Sequence, residues 1–246
     1  EEYFSQFIQN IFIYYISPIV KPVKKIPTYK KNKIILGYHG NKIHLSSMFP
    51  RITDAINLLA SEYEVELWAM YNIKILGKWK IPEKKKFVFK VEHIQYSEEN
   101  YSKYIAHTDI GIVPQIIPFM KNNYLKYISG SLFKKNNESK HDYFFRFKED
   151  TNPGRHLVFA QYGIPVISDM TPSACNLINN RVNGYLAHHT MSWYKYMKIL
   201  VNDKKLRNDM GIKFREKYET IASAKIQNKN LLNFIINLKN THINKL

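Results

Sequence analysis

A single cysteine, Cys175, stands in the 246 residues. A lone thiol excludes an internal disulfide framework and any multi-cysteine zinc site, and it fits a reducing compartment. No apolar run reaches the roughly 18 residues that a transmembrane helix needs, and no signal-peptide pattern is visible. The sequence has no GxGxxG, no Walker loop, no HExxH and no GxSxG, and no Asp-x-Asp pair stands at a strand end. These absences argue against a dinucleotide fold, P-loop chemistry, zinc proteolysis, an esterase elbow and a metal-held nucleotide of the Asp-x-Asp type. No repeat of fixed period occurs. Glu1 rather than Met begins the chain, so an N-terminal piece is expected to have been removed or left out.

Acidic residues are also scarce, with 20 Asp+Glu against 37 Lys+Arg and a formal net charge of +17. Nucleic acid, an anionic membrane face and a phosphate-bearing small ligand are the partners such an excess suits. The blander reading is that lysine is spread over every solvated face, as an AT-biased coding sequence would produce. Hydrophobic residues make up 45% and charged residues 23%, an ordinary globular composition. The length suits one domain, or two small ones.

Tyr3 to Ile16 carries Phe4, Phe7, Ile8, Ile11, Phe12 and Tyr15 at helical spacing. The stretch from Lys21 to Lys33 follows, with two prolines and six lysines, and reads as a basic linker. Residues 1–32 are therefore expected to form an N-terminal helix and basic linker, either a remnant or an interdomain connection, and residues 33–246 a domain. Short apolar runs at Ile34–Leu36, Val65–Met70, Phe87–Val91, Ile110–Val113, Ile164–Ile167 and Gly184–Leu186 read as strands. Pro50–Leu59, Glu98–Ala106, Gly154–Tyr162, Ser173–Asn179, Ser192–Val201, Lys204–Tyr218 and Asn228–Leu238 read as helices. Strands alternating with amphipathic helices predict an α/β, Rossmann-like parallel sheet with helices on both faces. Residues 115–140, rich in Lys, Asn, Tyr and Ser, interrupt the alternation and read as an insertion.

In such a sheet, ligands bind beyond the carboxyl ends of the strands. The loop Gly37–His44 carries two glycines three apart, which let backbone approach a ligand, and Lys42 and His44 add hydrogen-bonding capacity. A plain tight turn is its alternative. The segment Arg146–His156 precedes a helix and holds Arg146, Lys148 and Arg155. Asn152 suits a helix N-cap and Pro153 the first helical position. First-turn amides from Gly154 onward and an arginine fork would then face an anion. Its alternative is an ordinary capped helix with solvated basic flanks. Thr171 and Ser173, in Ser168–Ala174, offer hydroxyls as a second phosphate contact, or simply a cap. Cys175 suits a buried structural thiol, and His188 and His189 suit surface histidines.

Thr108–Pro114, Gly154–Asp169, Asn179–Ala187 and Leu200–Lys217 together resemble the C-terminal, donor-binding half of group 1 (retaining, GT-B fold) glycosyltransferases. The resemblance implies a nucleotide-sugar site with the diphosphate at helix N-termini, flanked by Gly40 and Lys42, and with Val91–Ile94 near the base. Asp150 stands where the family places the first glutamate of its glutamate, seven residues, glutamate pattern, which implies a catalytic contact to the donor sugar. The second position is Val158, a departure that removes the usual ribose-binding carboxylate. The substrate-binding set is thus Gly40, Lys42, Arg146, Lys148, Asn152, Gly154, Arg155, Thr171 and Ser173. No metal or other cofactor is expected, since helix dipoles and basic side chains offset the diphosphate charge.

The resemblance also implies an acceptor, a glycan or lipid-linked, and an acceptor-binding N-terminal domain or partner chain outside this sequence. A cytoplasmic location follows, with peripheral contact to an anionic membrane through the N-terminal Phe/Ile segment and its lysine-rich sequel. Surface-polysaccharide synthesis is the expected role. A non-catalytic glycosyltransferase-like subunit is the alternative. So is a basic nucleic-acid-binding module, against which no RNP-like, zinc-finger or helix-turn-helix signature appears.

Overall fold

The computed structural model describes residues 10–16, 33–80, 87–115 and 152–243. The element order is β1 (Ile34–His39), α1 (Lys42–Ser46), α2 (Arg51–Ala60), β2 (Val65–Tyr71), α3 (Ile73–Leu76), β3 (Lys90–Gln95), α4 (Tyr101–Ala106) and β4 (Ile110–Val113). It continues with α5 (Gly154–Gln161), β5 (Val166–Asp169), α6 (Pro172–Leu177), β6 (Tyr185–Ala187), α7 (Thr190–Asn202), α8 (Lys204–Ile221) and α9 (Ala224–Ile243). Six strands form one sheet in the order β3-β2-β1-β4-β5-β6, and every pairing is parallel. This is the α/β architecture that the alternation of elements predicts.

The central strands are apolar on both faces because helices cover both. Leu36, Leu67 and Ile112 share one cluster with Ile52, Ile56 and Leu59 of α2 and Trp193, Met197 and Leu200 of α7. On the opposite face Val113 and Val166 join Leu157 and Phe159 of α5, Phe214 of α8 and Ile105 of α4. At about 25 cal/mol per Å² of apolar surface removed from water, these faces supply the main driving force for folding. Gly211 marks where α8 meets the turn after α5: a Cβ there would lie 2.0 Å from the Gly163 carbonyl oxygen. Only glycine permits that approach.

Several expectations are corrected. The third strand lies at Lys90–Gln95 instead of Phe87–Val91, because Phe87 and Phe89 stack on each other at 4.7 Å and Phe87 meets Trp79 at 5.9 Å. Val91–Ile94 consequently lies within that strand and not beyond it. Residues 10–16, the described part of the proposed N-terminal helix, are not helical. They pack along α9 instead: the Tyr15 backbone N–H donates to Gln227 at 3.1 Å, the Tyr14 hydroxyl donates to Asn228 at 2.7 Å, and Phe12 meets Phe234 at 5.4 Å. Cys175 is exposed, not buried. The basic linker (21–33), apart from Lys33, and the insertion (115–140), apart from Gln115, lie outside the described residues.

Candidate anion site at the sheet switch point

Chain connections leave β1 and β4 in opposite directions, since β2 and β3 lie on one side and β5 and β6 on the other. A crevice forms at the carboxyl ends of such a pair, and ligands of open α/β sheets bind there. Gly40 follows β1, Pro114 follows β4, and Arg155 reaches both from the first turn of α5. The guanidinium donates to the Pro114 carbonyl at 2.7 Å. A Cβ on Gly40 would sit 2.9 Å from the Arg155 Cδ, and the Gly40 φ of 139° is itself hostile to any side chain.

Tyr38 closes the other side. Its hydroxyl donates to the Asn41 carbonyl at 2.6 Å, which leaves its lone pairs to accept from Arg155. Both groups binding the guanidinium are therefore neutral. Among the described residues Arg155 has no ion-pair partner. Burial pulls its pKa below the ordinary arginine value, while the nearby Tyr38 and Asp169 push the other way. An arginine nonetheless stays charged.

Two buried histidines, His44 and His156, and the half-buried His39 report the same field. The His39 Nε2 faces the Arg155 carbonyl at 3.2 Å; the carbonyl only accepts, so Nε2 carries the proton. Burial lowers the His39 pKa to about 4, and the Arg155 charge adds to the effect. Burial, reinforced by Arg155, likewise lowers His44 to about 3 and His156 to about 3. His156 lies 2.8 Å from the Ser168 hydroxyl, with both side chains buried. All three imidazoles are neutral at physiological pH, so of these four groups only Arg155 is charged.

Asp169, fully buried at the end of β5, is already engaged. Arg51 forks onto it, Nη1 at 2.6 Å from Oδ1 and Nη2 at 2.9 Å from Oδ2. The Gln115 backbone N–H donates to Oδ2 at 2.8 Å, and Arg51 also reaches the His188 carbonyl at 3.2 Å. The carboxylate thus fixes the loops after β4 and β6 to the start of α2.

Of the residues expected at the site, Gly40 and Arg155 are brought together. Thr171 donates to the Gln115 side chain and lies 3.4 Å from the Ser173 hydroxyl, with Gln115 in turn 3.5 Å from Ser173. These three form a polar group beside Asp169. Lys42 is turned away, its ammonium donating to the Leu76 carbonyl at the end of α3 at 2.6 Å. Asn152 does not cap α5: the cap position falls on Pro153, with no side-chain bond, and helix begins at Gly154. The Asn152 amide instead donates to the Ile16 carbonyl at 2.6 Å. Val158 is buried in the apolar cluster. Arg146, Lys148 and Asp150 lie outside the described residues. Tyr38, Arg51, Gln115 and Asp169 escaped the sequence reading; the only local signal is an acid closing an apolar strand at Asp169.

No family model and no curated protein matches the sequence. Solved structures are similar to this chain in fold. A point mutant of Staphylococcus aureus TarM, in complex with fondaparinux, alpha-GlcNAc-glycerol and UDP, aligns with 95% of this chain and 41% of its own at TM-score 0.60 and 13% identity. A second TarM structure aligns over 87% of this chain and 37% of its own, at TM-score 0.52 and 14% identity. Sucrose-phosphate synthase from Thermosynechococcus elongatus aligns over 85% and 46%, at TM-score 0.52 and 10% identity. The chain has the Rossmann-like fold found in these glycosyltransferases, as expected of the donor half of a GT-B enzyme. It spans less than half the length of each. No helix among the described residues is long and apolar enough to cross a membrane.

Proposed function

We propose that this chain is the nucleotide-sugar-binding part of a glycosyltransferase that passes a glycosyl unit to a glycan or lipid-linked acceptor, in surface-polysaccharide synthesis. The observation that carries the reading is Arg155, a charged guanidinium at the switch point of the sheet whose hydrogen-bond partners among the described residues are neutral, and whose neighbouring carboxylate, Asp169, is already paired with Arg51. Withdrawing a charge from water, even partly as for the half-buried Arg155, costs free energy unless an opposite charge accompanies it. A diphosphate supplies that charge, and Gly40 leaves the backbone low enough for it to approach. UDP in the TarM structure, on the same fold, supports this choice of ligand.

During transfer the bond between sugar and diphosphate breaks and negative charge grows on the departing nucleotide. Arg155 and the first-turn amides of α5 stabilise that charge in place, which lowers the barrier more than the same contacts made to substrate alone. Thr171 and Ser173 add hydroxyl contacts at the neighbouring strand end. In this reading Arg146 and Lys148 add further charge, Asp150 touches the donor sugar, and no metal is required. A thermal-shift screen of UDP-, GDP-, CMP- and ADP-sugars tests the proposal. The matching donor at about 100 times its dissociation constant adds roughly 2.7 kcal/mol of stability, and no shift with any donor counts against it.

The apolar Val158 at the ribose position favours a second reading, a subunit that binds the donor without transferring it. A transfer assay on protein that passes the thermal-shift test separates the two.

A further inference from the structure

The last helix presents a second surface, independent of the donor site. At 3.6 residues per turn, Lys225, Lys229, Leu232, Ile235, Ile236 and Lys239 fall within an arc of about 120° on α9. All six are exposed. Leu232 is 58%, Ile235 53% and Ile236 46% accessible. The opposite arc holds Gln227, Leu231, Phe234 and Leu238, and there Gln227 and Phe234 contact residues 10–16; Asn228, which falls between Ile235 and Lys239 on the outer arc, accepts from the Tyr14 hydroxyl. Leu232, Ile235 and Ile236 belong to neither hydrophobic cluster of the described residues. From Thr220 to the end of the sequence there is no Asp or Glu, so nothing on this helix offsets its lysines.

Apolar side chains bracketed by lysines, on a helix unable to cross a bilayer, match the chemistry of an anionic lipid surface. The aliphatic residues enter the acyl boundary and the ammonium groups meet the headgroups. A nucleic-acid groove would accept the lysines but leave Leu232, Ile235 and Ile236 unused, and a copy of the same helix would bring like charges together. We infer that the outer arc of α9 docks this protein on anionic membrane. This contact on the C-terminal helix is separate from the one expected of the N-terminal segment.

Flotation of the full 246-residue chain with vesicles of phosphatidylcholine alone, or with three parts in ten of phosphatidylglycerol, tests this. The chain is expected to float with the anionic vesicles only. Replacing Lys225, Lys229 and Lys239 together by Gln lowers partitioning on the order of a hundredfold, and Leu232→Asn with Ile235→Asn and Ile236→Asn lowers it at least tenfold. Because all six sites are exposed, circular dichroism of both variants should stay unchanged. No flotation of the native chain overturns the inference, and so does flotation that neither variant weakens. A native chain that light scattering shows to be a dimer, and that the apolar variant renders monomeric, overturns it in favour of a self-interface.

Discussion

Gly40 shows how a single backbone position shapes a binding crevice. Its φ of 139° and its near-contact with Arg155 leave no space for a methyl group. Gly40→Ala is expected to cost about 1–3 kcal/mol in stability through backbone strain and to displace Arg155, which denaturant unfolding and nucleotide titration would both register. Asp169 works differently. It is buried and bound by both arms of Arg51, so Asp169→Asn strands a guanidinium and should cost on the order of 3–5 kcal/mol by chemical denaturation. His39, His44 and His156 make a third case, since burial lowers all three, to about 4, 3 and 3. Their unfolded forms take up protons near pH 6.5 and their folded forms do not. Stability is therefore full above that pH and falls as pH drops toward 4, at roughly 1.4 kcal/mol per pH unit for each histidine. Melting temperatures measured from pH 7 to pH 4.5 should decline steeply; a flat profile contradicts the assignment.

Gly211 decides the packing of two helices. Because its Cβ would overlap the Gly163 carbonyl, Gly211→Ala must push α8 off the α5 turn, at a cost of about 1–3 kcal/mol visible in the melting temperature. Which elements the sequence reveals follows from how each is held. β4 is legible to the residue, because an apolar run bounded by Asp109 and Pro114 has no other home. The long helices α7 and α8 are legible through their apolar stripes. α1 and α3 have four or five residues and exist through the side chains of Asn41 and Asn72, which accept from Ile43 and Ile75; no periodicity can develop over one turn. β3 is hidden because it is an edge strand with mixed polarity, while the neighbouring aromatics that mimic a strand belong to a side-chain stack. Asn152 satisfies every local rule for a cap, yet the chain at Ile16 takes its amide first.

Across the whole molecule, the site is less legible than the fold because its parts come from distant sequence. Arg51 and Asp169 are 118 positions apart, and only the sheet order places the ends of β1, β4 and β5 side by side. Arg155 was nevertheless visible, since an arginine entering a helix after a glycine points to an anion whatever the tertiary context. The net charge of +17 left its use open; the structure places one half-buried guanidinium in the crevice and three exposed lysines along the outer arc of α9, a small share of the cations. The claim beneath the functional reading is that Arg155 meets a diphosphate. Calorimetric titration of the native chain and Arg155→Ala with UDP tests it directly. Loss of one charge-assisted bond predicts weakening by about 1.5–3 kcal/mol, and equal affinity in the two proteins would contradict it.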